Sequence, residues 1–299
     1  MVTVAIIMTC FNRREKTARC LETVLDCANK DIKIDVYLTD DGSTDGTGDM
    51  VRERFPGVII LQADGSLYWN KGMHRAFSAA EKVGYDFYLW VNDDVAFDRN
   101  IVDRLVSYYH QVKRKDETII VGYTENEERT EVTYAGFVRE KSIIPLSMRP
   151  ALPDGSTPVK IDTFHGNCVL ISSAVVRKIG IMDSYYSHGM GDADYGHTAT
   201  RNGCDIWLTT FPVGVCEKNY IYDGLYERNL SLLERYRFIT SRKQRPVKDW
   251  WHFTLKNGGM LGILRFIIAY AKIPYIHIRC KYLGKTMKEA DKLRKLPPS

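Results

Sequence analysis

The 299-residue chain is 44% hydrophobic and 26% charged, with aromatics at 11%. These proportions exclude a disordered chain, a collagen-like repeat and a long coiled coil, and the length suits one large domain or two modest ones. The net charge of +5 is uneven: residues 238–299 hold 14 Lys or Arg against 3 Asp or Glu, so +11, which leaves −6 on residues 1–237. Apolar runs are broken by charge before the roughly 20 residues needed to cross a bilayer. Met1 to Phe11 is apolar but lacks the basic leader and cleavage site of a signal peptide. Seven scattered cysteines with no CxxC pair point to free thiols in a reducing cytosol, not to a disulfide scaffold or a structural zinc site.

In chain order, Val2 to Cys10 is a continuous β-rich apolar run, the pattern of a strand buried on both faces. Arg13 to Ala28 has helical spacing. Ile34 to Thr39 is a second strand, ending in the acidic turn Asp40-Asp41-Gly42-Ser43 and followed by a helix from Thr44 to Phe55. Val58 to Gln62, a helix over Lys71 to Val83 and the strand Phe87 to Val91 repeat the cycle. This alternation implies right-handed crossovers and a parallel sheet, whose ligands bind at the carboxyl ends of the strands. Strands are predicted at Thr118 to Tyr123, Glu131 to Val138, Asn167 to Ser172 and Ile206 to Val215, a loop at Pro150 to Pro158, and a short helix at Ala174 to Ile179. After Tyr236 the chain turns basic, aromatic and helical. The expected division is therefore a domain over 1–236, with halves at about 1–95 and 96–236, and an extension over 237–299.

Three polar clusters can carry chemistry. In Thr39 to Gly46 (TDDGSTDG), two adjacent carboxylates after a buried strand can accept hydrogen bonds from a ligand; capping of the next helix by Ser43, Thr44 or Asp45 is the structural alternative. In Trp90 to Val95 (WVNDDV), paired carboxylates at a strand end repel unless a cation or proton intervenes, and a hard divalent ion bridging to phosphate oxygens suits them. In His188 to Gly203, Asp192 and Asp194 stand just before a helical stretch, where a carboxylate can stay ionised and act as a general base. His165, His188 and His197 are weaker candidates.

Taken together, TCFNR (9–13), TDDGSTDGT (39–47), VNDDV (91–95), FHGNCVLI (164–171) and GDADYGHTATRNG (191–203) resemble the family 2 glycosyltransferases, over roughly residues 2–220. The subgroup looks like bacterial cell-surface polysaccharide transferases, including rhamnosyltransferase-like members. The resemblance implies an α/β GT-A fold, a Rossmann-like mostly parallel central sheet flanked by helices, here with a basic helical C-terminal extension. It implies an inverting, metal-dependent transfer of a sugar from a UDP- or dTDP-linked donor to a glycan or lipid-linked acceptor. By the same resemblance Thr9, Phe11, Asn12, Asp40, Asp41, Asn70, Asn92 and Asp93 border the nucleotide-sugar, Asp94 binds Mn²⁺ or Mg²⁺, and Asp192 is the base. Asn167, His188 and Asp194 are acceptor-side candidates, Asp194 competing with Asp192 for the base.

Two departures from the family pattern matter: Asn92 opens the triplet where many relatives have Asp, and Gly191 stands where the family often has Glu. A third metal ligand, often a His, is not visible; Cys216-Glu217-Lys218-Asn219 occupies that region. In the tail, aromatics and basic residues flank Leu and Ile, while Arg265, Lys272 and Pro274 interrupt a spanning helix. Residues 250–295 therefore suit either an anionic membrane interface or packing on protein, including a second copy. The expected location is the cytoplasm, peripheral on the inner face of the membrane. No nucleic-acid motif accompanies the charge. The rival readings are an inactive nucleotide- or glycan-binding module, and a sugar-phosphate nucleotidyltransferase. The latter should carry a glycine-rich loop after its first strand, where TCFNRREK has no glycine.

Overall fold

A computed structural model describes residues 1–26, 29–218 and 223–282. Its contacts divide the chain into two compact units, one of residues 1–140 and 148–218, the other of 141–147 and 219–299. The change in composition near 236 therefore falls inside the second unit.

The first unit opens with β1 (Val2–Cys10), α1 (Arg14–Val24), β2 (Ile32–Asp40), α2 (Thr47–Arg54), β3 (Val58–Gln62), α3 (Tyr68–Glu81) and β4 (Phe87–Val91). β1 pairs in parallel with both β2 and β4, and β2 with β3, as the alternating pattern requires. There follow β5 (Ala96–Phe97), α4 (Ile101–Val112), β6 (Thr118–Glu125), β7 (Val132–Tyr134), β8 (Gly136–Arg139), β9 (Met148–Pro150), β10 (Val159–Lys160), β11 (Thr163–Phe164), β12 (Cys168–Ser172), α5 (Ser173–Ile179), α6 (Gly191–Arg201) and β13 (Asp205–Val215). The large sheet runs β10-β13-β6-β12-β4-β1-β2-β3. β12 is antiparallel to both neighbours, while β13 and β6 are parallel.

Period-two alternation sorts the central strands into two cores. Val4, Ile6 and Met8 pack with Leu21 and Val24 of α1 and Ile101 and Leu105 of α4. Ala5 and Ile7 pack on the other face with Met73, Ala76 and Phe77 of α3 and Tyr195 and Ala199 of α6. Helices thus cover both faces, and polar groups are left to the strand ends.

Two expectations change. The strand predicted over Glu131 to Val138 is two strands: Val132–Tyr134 pairs with β6, whereas Gly136–Arg139 joins a separate three-stranded sheet, β11-β8-β9. A local pattern cannot distinguish one long strand from two that exchange partners. Asp192 and Asp194 lie not ahead of a helix but in the first turn of α6, which starts at Gly191 after the left-handed Met190 (φ 75°).

The second unit holds α7 (Leu232–Ile239), α8 (Val247–Gly258), α9 (Gly262–Ala271) and α10 (Ile273–Tyr282). α7 begins with a capping box in which Ser231 and Glu234 satisfy each other's backbone N–H groups. Leu225, Ile239, Ile273, Ile276 and Cys280 form this unit's small core. Beside it the fully buried Arg235 donates to the carbonyls of Leu225 and Glu227.

Among the described residues, Val247–Tyr282 is long and apolar enough to cross a membrane by length and composition: 36 residues, with a best 18-residue stretch of mean hydropathy 1.4. The expectation that charge interrupts every such stretch is thus corrected, because Arg265 and Lys272 are too sparse to lower the average. The run is not one straight rod. The Trp251 and Phe266 rings lie 4.9 Å apart, possible only if α9 folds back on α8. Gly262 sits against the Thr254 carbonyl, where a Cβ has no room. Ala28, Asn219 and residues 283–295 of the candidate interface segment lie outside the described residues.

Candidate active site

The carboxyl ends of β1, β2 and β4 lie side by side, so the three loops that leave them meet. The first two are latched together. Asn12, held in the left-handed region (φ 51°), accepts from the Thr44 N–H at 2.7 Å, and its own N–H donates to Ser43 Oγ at 3.0 Å. Asp45 accepts from the N–H groups of Arg14 and Thr47, tying the start of α1 to the turn before α2. The capping expectation for Asp45 is met in this form.

Asp40 and Asp41 are both buried and bound by protein donors. Asp40 Oδ1 accepts from the Ser43 N–H at 2.9 Å, and Asp40 Oδ2 from Gln62 at 3.3 Å. Asp41 receives three backbone N–H groups, from Gly65 and Leu67 at 3.1 Å and from Tyr68 at 2.7 Å. Asp41 thus anchors the entry to α3, a role invisible in the sequence because its partners lie more than twenty residues downstream. Thr9 is also enclosed: its hydroxyl donates to the Thr39 carbonyl, and Gly72 of α3 packs on it so closely that a Cβ would collide. Phe11, 51% exposed, presents the open aromatic surface of this edge.

Asn70 is fully buried and donates to the carbonyls of Asp183 and Tyr186 at 2.8 and 3.3 Å. It therefore fastens α3 to the loop before α6. Tyr68 and His188 meet edge-on at 6.0 Å across the same joint.

The third loop carries the acid pair. One nitrogen of Arg13, Nη1, lies 3.0 Å from Asp93 Oδ1 and 2.9 Å from Asp94 Oδ2, so a guanidinium from the β1 loop bridges both carboxylates. Asp93 is 6% exposed, and its Oδ2 has no hydrogen-bond partner. Burial pushes its pKa up to about 7, with Asp94 adding to the rise and Arg13 opposing it. Cys216, just after β13, points its thiol at Asp94 Oδ1 at 3.6 Å. Burial and the Asp94 charge raise that thiol's pKa, so it stays protonated.

These residues fit a hard divalent ion that completes its shell with phosphate oxygens: two carboxylates converge, and one buried oxygen is unpartnered. Asp93 and Asp94 are the carboxylates that would hold such an ion. Cys216 occupies the region where the third ligand was sought, but as a neutral thiol it is a poor partner for Mg²⁺ or Mn²⁺. Among the described residues no group of three or more His, Cys, Asp or Glu is arranged to hold a metal without help from a ligand.

Asp192 connects to this pair through two consecutive residues. Its Oδ2 accepts from the Gly166 N–H at 2.9 Å, and the carbonyl of Asn167 accepts from the Asn92 N–H at 3.1 Å. The Trp69 indole donates to Asn92 Oδ1 at 2.7 Å and packs against Gly166, where a Cβ would lie 2.8 Å from the ring. Trp69 was not a sequence candidate; its position beside Asn70 in α3 was the available signal. Asn167 is buried, with its amide 3.8 Å from Cys216 Sγ. Asp194 is 2% exposed and Asp192 half-buried, so Asp192 is the more accessible carboxylate. His165, half-buried beside Asp192, has its pKa lowered by burial, with Asp192 opposing. A surface depression lined by Lys115, Lys160, Thr200 and Asp205 lies at the amino ends of β6 and β13, at the other end of the strands from these carboxylates.

The fold has solved counterparts. A crystal structure of S. aureus TarS, residues 1–349, superposes with a TM-score of 0.55 at 13% identity, over 100% of this chain and 93% of that one. GalNAc-T7, solved with UDP, GalNAc and Mn²⁺, gives 0.56 at 13% identity, over 100% of this chain and 59% of that one. The sheet and its flanking helices are those of the GT-A glycosyltransferases. No curated protein matches the sequence. The model of the family described as "Glycosyl transferase family 2" matches residues 5–179, more than half of the chain and including the first two clusters and the Gly166–Asn167 turn. By that match the chain belongs to glycosyl transferase family 2.

Proposed function

We propose that the protein transfers a sugar, with inversion, from a UDP- or dTDP-linked donor to a hydroxyl of a glycan or lipid-linked acceptor, in the synthesis of a bacterial surface polysaccharide at the inner face of the membrane. The observation that carries this reading is the Gly166–Asn167 turn, which holds Asp192 on one side and the Asn92-Asp93-Asp94 loop on the other. A base carboxylate in the first turn of α6 and an acidic pair in the turn after β4, suited to a diphosphate, are thereby held by adjacent residues.

The chemistry follows from those positions. Asp192 takes the proton of the acceptor hydroxyl as its oxygen forms a bond to the anomeric carbon. The bond from that carbon to the diphosphate oxygen breaks, and the nucleoside diphosphate departs with the electron pair. Asp93 and Asp94 would hold a divalent metal, which would supply charge neutralisation at the departing diphosphate; the Mn²⁺ and UDP solved with GalNAc-T7 support a divalent ion in that place. Two N–H donors, from Gly166 and Ala193, keep the Asp192 carboxylate aligned at 2.9 and 2.8 Å. Phe11 offers an exposed ring on which a base can stack.

The test is thermal stabilisation by UDP- and dTDP-sugars, with and without Mn²⁺, in the parent and in Asp94→Ala. A donor at 100 times its Kd adds about 2.7 kcal/mol of stability. Metal-dependent stabilisation by one donor class, lost in Asp94→Ala, is expected; no stabilisation by any donor would overturn the reading in favour of a module with another ligand.

A further inference from the structure

The outward face of α9 and α10 has the wrong chemistry for water. Leu261 just before α9, and Leu264, Ile267, Tyr275, Ile278 and Tyr282 within the two helices, are all exposed, Leu261 and Tyr282 each at 69%. Within each run they recur at three- and four-residue steps, and the eight residues from Ile267 to Tyr275 are about two further turns, so they fall on one side of both helices. The opposite stripe, Ala269, Ile273, Ile276 and Cys280, is buried, the last three in the small core with Leu225 and Ile239. Only 22% of the most apolar 18-residue stretch is buried, so the helices are apolar on both sides and covered on one.

Charge selects what covers the other. Residues 247–282 contain six Lys or Arg (Lys248, Lys256, Arg265, Lys272, Arg279 and Lys281) against Asp249 alone. A second copy would set these like charges against each other. We infer that the Leu261–Tyr282 stripe docks on an anionic lipid surface, lying in the interface and not crossing it. Crossing would pull Ile273, Ile276 and Cys280 out of their core, whereas lying flat leaves that core intact. Arg279 stacks over Tyr275 and Lys281 over Tyr282, so each cation rides on an aromatic ring suited to the headgroup level. The inference deepens the proposed reading on one point, the acceptor: docking on lipid favours a lipid-linked one.

Vesicle flotation of the full chain tests it without any turnover, so its failure and a failure of the transferase reading are separable. Phosphatidylcholine vesicles, with and without phosphatidylglycerol, are the probe. Binding at least about tenfold stronger with the anionic lipid is expected. Arg279→Gln/Lys281→Gln should weaken it roughly 25-fold, at about fivefold per charge near the surface. Leu264→Glu/Ile267→Glu/Ile278→Glu should abolish it on both vesicle types; all three positions are exposed, so the melting temperature should hold. Flotation equal on neutral and anionic vesicles would overturn the anionic preference. A chain that does not float overturns lipid docking altogether. If that chain sediments as a dimer, and the triple variant as a monomer, a second copy covers the stripe; if it stays monomeric, neither lipid nor a second copy does.

Discussion

Asn70 occupies the space that a side chain at position 191 would need: a Cβ added to Gly191 would fall inside the van der Waals envelope of Asn70 Oδ1. Asn70 cannot yield, because its amide nitrogen is tied to the carbonyls of Asp183 and Tyr186. Beside Asn70 the first position of α6 has room only for glycine, so no side chain precedes Asp192 in the helix. Gly191→Ala should destabilise the protein by about 1–3 kcal/mol through overpacking. Asn70→Ala combined with it should cost less than the two single changes together, which a double-mutant cycle in urea will show. Strict additivity would mean that the two positions do not share this space.

A divalent ion at Asp93 and Asp94 would compete with Arg13, since one guanidinium nitrogen already touches both carboxylates. The Arg13 side chain is 42% exposed, so its release costs little, about 1 kcal/mol. Arg13→Gln should therefore bind Mn²⁺ roughly fivefold more tightly than the parent in the absence of donor. Titration followed by Mn²⁺ paramagnetic resonance reads this directly, and weaker binding in the variant would show that Arg13 supports the metal instead.

The two carboxylates of α6 should separate by readout. Asp192→Asn is expected to lower turnover by about 10²–10⁴ while leaving donor-induced stabilisation unchanged. Asp194, 2% exposed, is part of the fold. Asp194→Asn should move the melting temperature more than it moves turnover, and the opposite pattern would transfer the base to Asp194.

His197 makes the first unit acid-sensitive. Burial, aided by Arg139 and opposed by Asp194 and Asp162, lowers its pKa from 6.5 to about 4. Between those values the unfolded chain binds a proton that the folded chain refuses, so stability is full above about pH 6.5 and falls as the pH drops towards 4. The loss across that window is about 3 kcal/mol. His165, lowered in the same direction, adds to it. Asp93, raised to about 7, titrates in the opposite sense over the same window, so the His197 contribution is read as a difference: the urea midpoint of the parent relative to that of His197→Gln should fall between about pH 7 and about pH 5.

Sequence alone determined what periodicity carries. Val2 to Cys10, Val58 to Gln62 and Phe87 to Val91 are strands at the predicted bounds; the first and last are buried on both faces, which shows in consecutive apolar residues, and the edge strand Val58 to Gln62 carries the same β-branched run. The order of the acidic clusters likewise follows from strand polarity, which puts the ends of β1, β2 and β4 on one edge. What only the tertiary structure decided are the partnerships between distant segments: Arg13 with Asp93, Asp41 with the turn before α3, Cys216 with Asp94, and Asp192 with Gly166. No local pattern encodes these, since each depends on where crossovers and side-chain volumes bring separate loops together. The same is true of α9 and α10: their apolar residues were readable, but which stripe is buried and which faces outward is set by the helices they pack against.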